Sequence, residues 1–454
     1  MIAILSINTD QDVTSYESCE YQPGQDHLIA LNKIYEAYMK SRKGSNWKDQ
    51  VQRFQLQLLV NLLSIQKDLE GYCYSLSPAT TFTLNERGHI RFIVSSNIRD
   101  RVATHYMCDE VINPIISKYL IYDNAASQKG KGVDFARNRL KVHLHKYFML
   151  NGSNDGYILI MDFSKYYDNI RHDILMSRYK QYISDPRCLY YIEILLRNQE
   201  IDVSYMTEEE YEKCMDAVFN SLEYQLIDKD KLTGELYMRK HVEIGDQLSQ
   251  TSALVYPVPF DNYIKIVKGI KFYARYMDDS YIIHRSKEYL QALIPELIEQ
   301  ASKLGITLHP TKTHIYKLSD WWRYLQIRYC LTETGKIYTQ INPVRLTSFK
   351  RKLKKLAYTM LPEDFENFYK SWIGSHSKYM SEIQRQTTES LFRELMEVCI
   401  QCTLLRCLPD ESSQTSSSME TTSFPLSGSP TPTLQVLSPK WSFPMGTSRK
   451  SILI

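Results

Sequence analysis

An α+β fold is predicted by three features of the sequence. Apolar residues recur three and four positions apart near both ends of the chain, alternating runs bracket turn residues in its middle, and YILIMDF (157–163) stays apolar until it ends in an acid. The first pattern is helical, the second belongs to hairpins, and the third to a strand buried on both faces.

In chain order, residues 1 to about 25 are polar and acidic with little periodicity. LIALNKIYEAYM and FQLQLLVNLLSIQKDL, between Asp26 and Glu70, read as two helices. FTLNERGHIRFIVS alternates as a hairpin turning at Asn85 to Gly88, and DRVATHYMCDEVINPIISKYL returns to helical spacing. QKGKGVDFARNRLKVHLHKYF is a glycine-broken basic loop running into a basic helix. YILIMDF follows as a central strand that carries Asp162 to its C-terminal end. Residues 202–235 hold Glu208, Glu209, Glu210, Glu212 and Asp216, and predict a solvated peripheral insertion. IKFYARY and SYIIHR flank Met277, Asp278 and Asp279 as two strands about a tight turn. KEYLQALIPELIEQASKLG is an amphipathic helix stopped by Gly305, and WWRYLQIRYCLTETGKIYT reads as a hairpin turning at Thr334 and Gly335. From Asn342 to about Leu405 the pattern is helical, beginning with a basic stretch. Residues 408–454 are rich in Ser, Thr and Pro without a period, which predicts a disordered tail; a frame-shifted or truncated end of a longer domain is the other reading.

With 454 residues, 43% hydrophobic and 24% charged, the chain can bury more than one core. Its 55 Lys and Arg nearly balance 52 Asp and Glu, so any nucleic-acid surface must come from local clustering rather than from the net charge of +3. Nine Cys, scattered singly except for Cys399 and Cys402, read as reduced thiols. That lone C-x-x-C has no second pair and predicts ordinary helix residues rather than a zinc site. The opening MIAILSIN lacks a basic flank, and no run approaches the roughly 20 apolar residues of a membrane span. A cytoplasmic protein without membrane partners is therefore expected. Tyr, at 34 residues against 15 Phe, is over-used, and both core packing and stacking on bases would employ it.

Asp162 at the end of a buried strand and the Asp278–Asp279 pair on a turn invite a common explanation. Carboxylates gathered beside a sheet repel one another and lose hydration, and a divalent metal relieves both penalties. Oxygen ligands of this kind suit Mg²⁺, which takes one or two carboxylates, waters and phosphate oxygens. Surface turns also carry Asp pairs, so the three acids alone leave a structural role open.

The surrounding residues resemble a family. ILIMDFSKYYDNI is similar to the first palm motif of reverse transcriptases, and RYMDDSYII to their Y-x-D-D hairpin. Between them IGDQLSQ stands where these enzymes carry a Gly-x-x-x-Ser element; HPTKTHIYK follows as a Lys motif and WWRYLQIRY as a primer-grip strand. HIRFIVSSNIRDRVATHYMCDEVINPIIS resembles the fingers of the group II intron-like lineage. The resemblance runs from about Phe82 to Tyr329, and less sharply to Leu405.

It implies a right-hand polymerase: an N-terminal helical segment (1–80), fingers (81–156), a palm with an antiparallel sheet (157–340), a helical thumb (341–407) and the tail. Asp162, Asp278 and Asp279 would be catalytic and hold two Mg²⁺ ions, or Mn²⁺ in their place, with the backbone carbonyl of Phe163. Arg91, Tyr167, Ile244, Gly245, Gln250 and Lys312 would meet the dNTP. In that set Arg91 faces the triphosphate, Tyr167 excludes a 2′-hydroxyl, and Lys312 serves as proton donor near the pyrophosphate. Arg99, Arg101, Lys129, Lys131, Lys350, Arg351 and Lys354 would bind nucleic acid through phosphates. Arg87 is a weaker candidate. The implied partners are template RNA, the RNA–DNA hybrid and dNTPs.

Two departures narrow the subtype. The usual Q-G-x-x-x-S-P reads here as Ile244, Gly245, Ser249 and Gln250, a form that resembles the reverse transcriptases of diversity-generating retroelements, which work with a small basic accessory protein. Leu325, Gln326 and Ile327 replace a Leu-Gly pattern in the grip. No ribonuclease H, integrase or endonuclease signature is recognised after the thumb. An error-prone enzyme of that class is the leading expectation, with a phage-defence (abortive-infection type) reverse transcriptase second and a non-catalytic RNA-binding scaffold third.

Overall fold

The computed structural model describes residues 29–407 apart from 87–88 and 228. The expectations for residues 1–25, for Arg87 and for the tail after 408 lie outside the described residues.

Helices Leu31–Ser41, Asp49–Leu56 and Leu58–Glu70 come first, three where apolar spacing predicts two. Gln57 leaves helical angles (φ −120°, ψ 39°), and the Asn61 amide donates to the Phe54 carbonyl at 2.9 Å. A side chain thus satisfies a carbonyl that the interrupted helix leaves open. Strands β1 (Thr80–Glu86) and β2 (His89–Ser95) pair antiparallel as the predicted hairpin. A helix follows (Ile98–Tyr106), capped by the Asn97 side chain on the Arg99 N–H and continued by a π-helical turn, Met107–Ile112. Helix Val133–Asn151 ends at Gly152, whose φ of 65° is the left-handed conformation usual for glycine after a helix.

Strand β3 (Tyr157–Met161) is the continuous apolar run. Its alternate residues enter different cores: Leu159 and Met161 join the large cluster with the N-terminal helices, while Ile158 joins the cluster containing Trp322 and Tyr329. Two short strands, β4 (Ile201–Asp202) and β5 (Tyr237–Met238), pair at the base of the acidic insertion. Strands β6 (Tyr273–Tyr276), β7 (Asp279–His284) and β8 (His314–Lys317) complete a four-stranded antiparallel sheet in the order β6-β7-β3-β8.

Next, β9 (Trp322–Tyr324), β10 (Ile327–Leu331) and β11 (Ile337–Ile341) form a three-stranded meander in place of the single predicted hairpin. The extra turn falls on Leu325 and Gln326, both at positive φ (44° and 68°), a conformation that two-residue hairpins require and that composition gives no hint of here. Helices Pro343–Ala357, Pro362–His376 and Glu382–Cys407 finish the described chain around Phe349, Leu353, Phe365, Leu395 and Cys399. Cys399 is buried there with a free thiol, as expected of a helix residue.

The insertion is more than a solvated appendage. Its acidic helix, Glu208–Asp216, buries no residue, but Ile201, Val203, Phe219 and Met238 form a small core of their own. No helix among the described residues is long and apolar enough to cross a membrane.

Candidate active site

Register brings the three acids together. Met161 of β3 pairs with Ser280 of β7, and Tyr276 pairs with Asp279 across a two-residue turn, Met277 and Asp278. Asp162, one residue beyond Met161, therefore emerges beside Asp278 of the turn and Asp279, the first residue of β7. Met277 has φ +52° at the first turn position, which glycine usually fills. Arg275 restrains this turn: its Nη1 donates to the Met277 carbonyl at 3.0 Å, and its Nε and Nη2 grip the Asp261 carboxylate at 2.8–3.1 Å. Both side chains of that ion pair are fully buried. Sequence reasoning missed Arg275 and Asp261, although Arg275 lies inside the quoted RYMDD run and a buried arginine before a turn needs a carboxylate somewhere.

The electrostatics are those of an anionic cluster short of positive charge. Burial raises the Asp278 carboxyl above the usual range, with the charge of Asp162 adding to it. Burial, then Asp278 and Asp162, push Asp279 up to about 7. Asp162 Oδ1 is buried with no hydrogen-bond partner, while its Oδ2 accepts from Lys312 Nζ at 2.6 Å. Lys312 is held opposite by pairing of the chain around it: Phe163 bridges Leu308, and the His309 N–H donates to the Asp162 carbonyl at 2.7 Å. Among the described residues no three His, Cys, Asp or Glu side chains form a ready metal cage. The donor set nevertheless fits Mg²⁺, because an orphaned carboxylate oxygen beside two reluctant carboxylates is what an ion relying on one or two protein acids and substrate oxygens would use.

Tyr167 begins a 3₁₀ turn, Tyr167–Asn169, with its hydroxyl 3.8 Å from Met277 Sδ. Burial and then the Asp278 charge push its phenol up to about 12, so the ring is a neutral wall beside the acids. Tyr166 instead lies in the core, its hydroxyl on the Ala253 carbonyl at 2.7 Å. Gly245 has φ +112° and open space where a Cβ would stand, directly before helix Gln247–Val255, which Asp246 caps at 3.0 Å on the Leu248 N–H. Ile244 is half-buried beside it. Gln250 accepts from Ser127, the residue before the basic loop, at 3.0 Å, which ties the start of that loop to this helix.

Several expected nucleic-acid contacts are already committed to the protein. Arg99 pairs with Asp68, donates to the Ser75 carbonyl at 2.9 Å and lies 4.3 Å over the Tyr74 ring. Lys131 donates to the Tyr122 and Asn124 carbonyls at 2.8 and 3.0 Å. Cationic spacing cannot reveal such partners, which folding supplies. Arg101 is half-buried, with Nε and Nη2 lacking partners. Lys129 is exposed, and Arg91 sits on β2 opposite Leu84. Lys350, Arg351 and Lys354 line a groove of about 560 Å³ between the first and last C-terminal helices, with Lys350 Nζ 3.1 Å from Thr387 Oγ1.

Residues 84–330, from the first hairpin through β10, match the family described as Reverse transcriptase (RNA-dependent DNA polymerase). The chain belongs to the reverse transcriptase family. No curated protein matches it. Membership makes the chain an RNA-directed DNA polymerase, a right-hand fold that binds template nucleic acid and dNTPs, and enzymes of this family generally use divalent metals such as Mg²⁺. The matched span contains every acid of the cluster, Tyr167, the Ile244–Gly245 turn and Lys312.

Proposed function

We propose that this reverse transcriptase makes cDNA on an RNA template at the Asp162–Asp278–Asp279 cluster, and that it is the error-prone kind that serves a diversity-generating retroelement. The helices before residue 80, β1–β2 with the helices after them, the two central sheets and the three last helices act as N-terminal segment, fingers, palm and thumb. Asp162, Asp278 and Asp279, together with the Phe163 carbonyl, would hold the ions. Two bound Mg²⁺ ions would lower the barrier by activating the primer hydroxyl and stabilising charge on the departing pyrophosphate. Lys312, beside Asp162, is the proton donor to the departing pyrophosphate. Tyr167 closes the space that a ribose 2′-hydroxyl needs. Arg91 meets the triphosphate from the fingers, and the Lys350–Arg351–Lys354 groove meets the hybrid backbone.

The observation that carries the subtype is Ile244 in the place of a glutamine, next to Gly245 with open space at its Cα. An apolar side chain there can neither donate to nor accept from the substrate, and forgoing a hydrogen bond worth about 1 kcal/mol lowers discrimination several-fold. Sequencing cDNA made by the purified enzyme on a template with all four bases tests this. Errors concentrated at template adenines, and partly corrected by Ile244→Gln, are the expected result. An error spectrum flat across the four bases would reject the diversification role and favour phage defence.

A further inference from the structure

The acidic insertion and the chain that leaves it dock against the turn that carries Tyr167. Chain 239–242 runs antiparallel to chain 167–172: the Val242 N–H donates to the Tyr167 carbonyl at 3.0 Å, the His241 N–H to Ile170 at 3.1 Å, and the His172 N–H to Arg239 at 3.0 Å. Side chains lock the pairing. The Asn169 amide, 2% exposed, accepts from the Phe219 N–H at 2.9 Å and donates to the Phe219 and Lys165 carbonyls at 3.3 and 2.9 Å. Asp168 Oδ1 accepts from Ser221 Oγ at 2.7 Å and lies 3.0 Å from His241 Nδ1. His241 holds φ +135°, a strained conformation for a side-chain-bearing residue that persists only where its surroundings over-determine it.

The insertion is built to hold that grip. Lys240, 1% exposed, donates to the Cys214, Met215 and Ala217 carbonyls at 3.2, 2.9 and 2.6 Å, tying the end of the acidic helix to the chain that pairs with the Tyr167 turn. Phe219, which meets Asn169, is buried in the insertion's own core and stacks on Tyr224 at 4.8 Å. These bonds bear on the chemistry through the backbone of residues 167–170, immediately behind the ring that faces Met277.

We propose that residues 202–238 are a positioning element for sugar selection, with Asn169, Asp168 and Ser221 fixing the height of the Tyr167 ring against the incoming sugar. The inference rests on Tyr167 being the ring that excludes the 2′-hydroxyl. A ring held by a rigid turn rejects ribose by steric overlap, whereas a turn free to move by a fraction of an ångström accommodates it with little effect on the deoxy substrate. Looser holding should therefore raise kcat/KM for rNTP and leave kcat for dNTP nearly unchanged.

Single-nucleotide extension by the full chain on an RNA template, with dNTP and rNTP compared, tests this. Ser221→Ala and the isosteric Asn169→Asp should each lower the dNTP-to-rNTP ratio of kcat/KM by about threefold or more, chiefly through a lower KM for rNTP. Ser221→Thr, which keeps the hydroxyl, should retain the wild-type ratio. Tyr167→Val is the reference. If it lowers the ratio while Ser221→Ala and Asn169→Asp leave theirs at the wild-type value, the positioning role is overturned and the gate stands. If Tyr167→Val itself leaves the ratio unchanged, the gate assignment falls and the positioning role falls with it. A variant that slows both nucleotides equally, with the ratio intact, shows a merely structural contact and also overturns the proposal.

Discussion

At the scale of single residues, the acids and the arginine behind them make opposite demands. Asp278 sits among like charges, so Asp278→Asn removes repulsion and leaves the fold and RNA binding intact. The same change removes a ligand charge, and metal-dependent cDNA synthesis should fall by orders of magnitude. Synthesis within about tenfold of wild type would refute its role at the metals. Arg275 is the reverse case. Truncation to Ala leaves Asp261 charged, fully buried and unpaired, which should destabilise the protein by about 3–5 kcal/mol in denaturant unfolding. Arg275→Met combined with Asp261→Leu should cost less than Arg275→Ala alone, because no lone charge remains. Activity of the double variant should still be reduced, since the Met277 carbonyl loses its donor.

Elements carry the pH dependence. The chain entering helix Gln247–Val255 holds Glu243, which burial and then the charge of Asp246 push up to about 8. A carboxyl whose folded value lies above its unfolded value of about 4.3 binds its proton more tightly when folded. Its contribution to stability is therefore complete at acid pH and lost as pH rises from there through about 8. Glu243→Gln, which cannot ionise, should gain melting temperature relative to wild type at pH about 9 and gain little at pH about 5. Equal differences at both values would show that Glu243 ionises normally in the folded chain. The same helix start explains a glycine requirement: at φ +112° any side chain at position 245 is strained although the space is open, so Gly245→Ala should destabilise by about 1 kcal/mol or more.

Across the whole molecule, nucleic-acid binding should be local rather than a consequence of net charge. Replacing Lys350, Arg351 and Lys354 together by Ala should weaken hybrid binding without regard to sequence, and flatten its salt dependence by nearly one unit of log–log slope for each phosphate left without its cation. Affinity titrations at several salt concentrations measure both, and an unchanged slope would remove the groove from the binding surface. The tyrosine excess also finds its explanation at this scale. Eight of the twelve largest fully buried side chains among the described residues are Tyr. Most of these hydroxyls find partners, as Tyr179 does on Ser252 at 2.9 Å and Tyr281 on His143 at 2.8 Å. Core packing therefore accounts for much of what composition left open.

Local chemistry was enough to read the strand of Asp162, a turn at Met277 and Asp278, the helical ends and the first hairpin, because each depends on residues close in sequence. A continuous apolar run or a period of two or 3.6 is visible wherever it occurs. The break at Gln57 and the turn at Leu325–Gln326 were not visible, since ordinary residues adopt those angles only under constraint from their surroundings. Partnership was equally hidden. Lys312 and Asp162 are 150 residues apart, Arg99 and Asp68 are 31 apart, and Phe219 reaches Asn169 across 50. The sequence by itself determined which residue types could do the chemistry and in what order they lie along the chain. Only the tertiary structure decided which cations are spent on the protein's own carboxylates and carbonyls, and that the acidic insertion stands behind Tyr167, because a charge or a polar group is satisfied by whatever folding brings within about 3 Å of it.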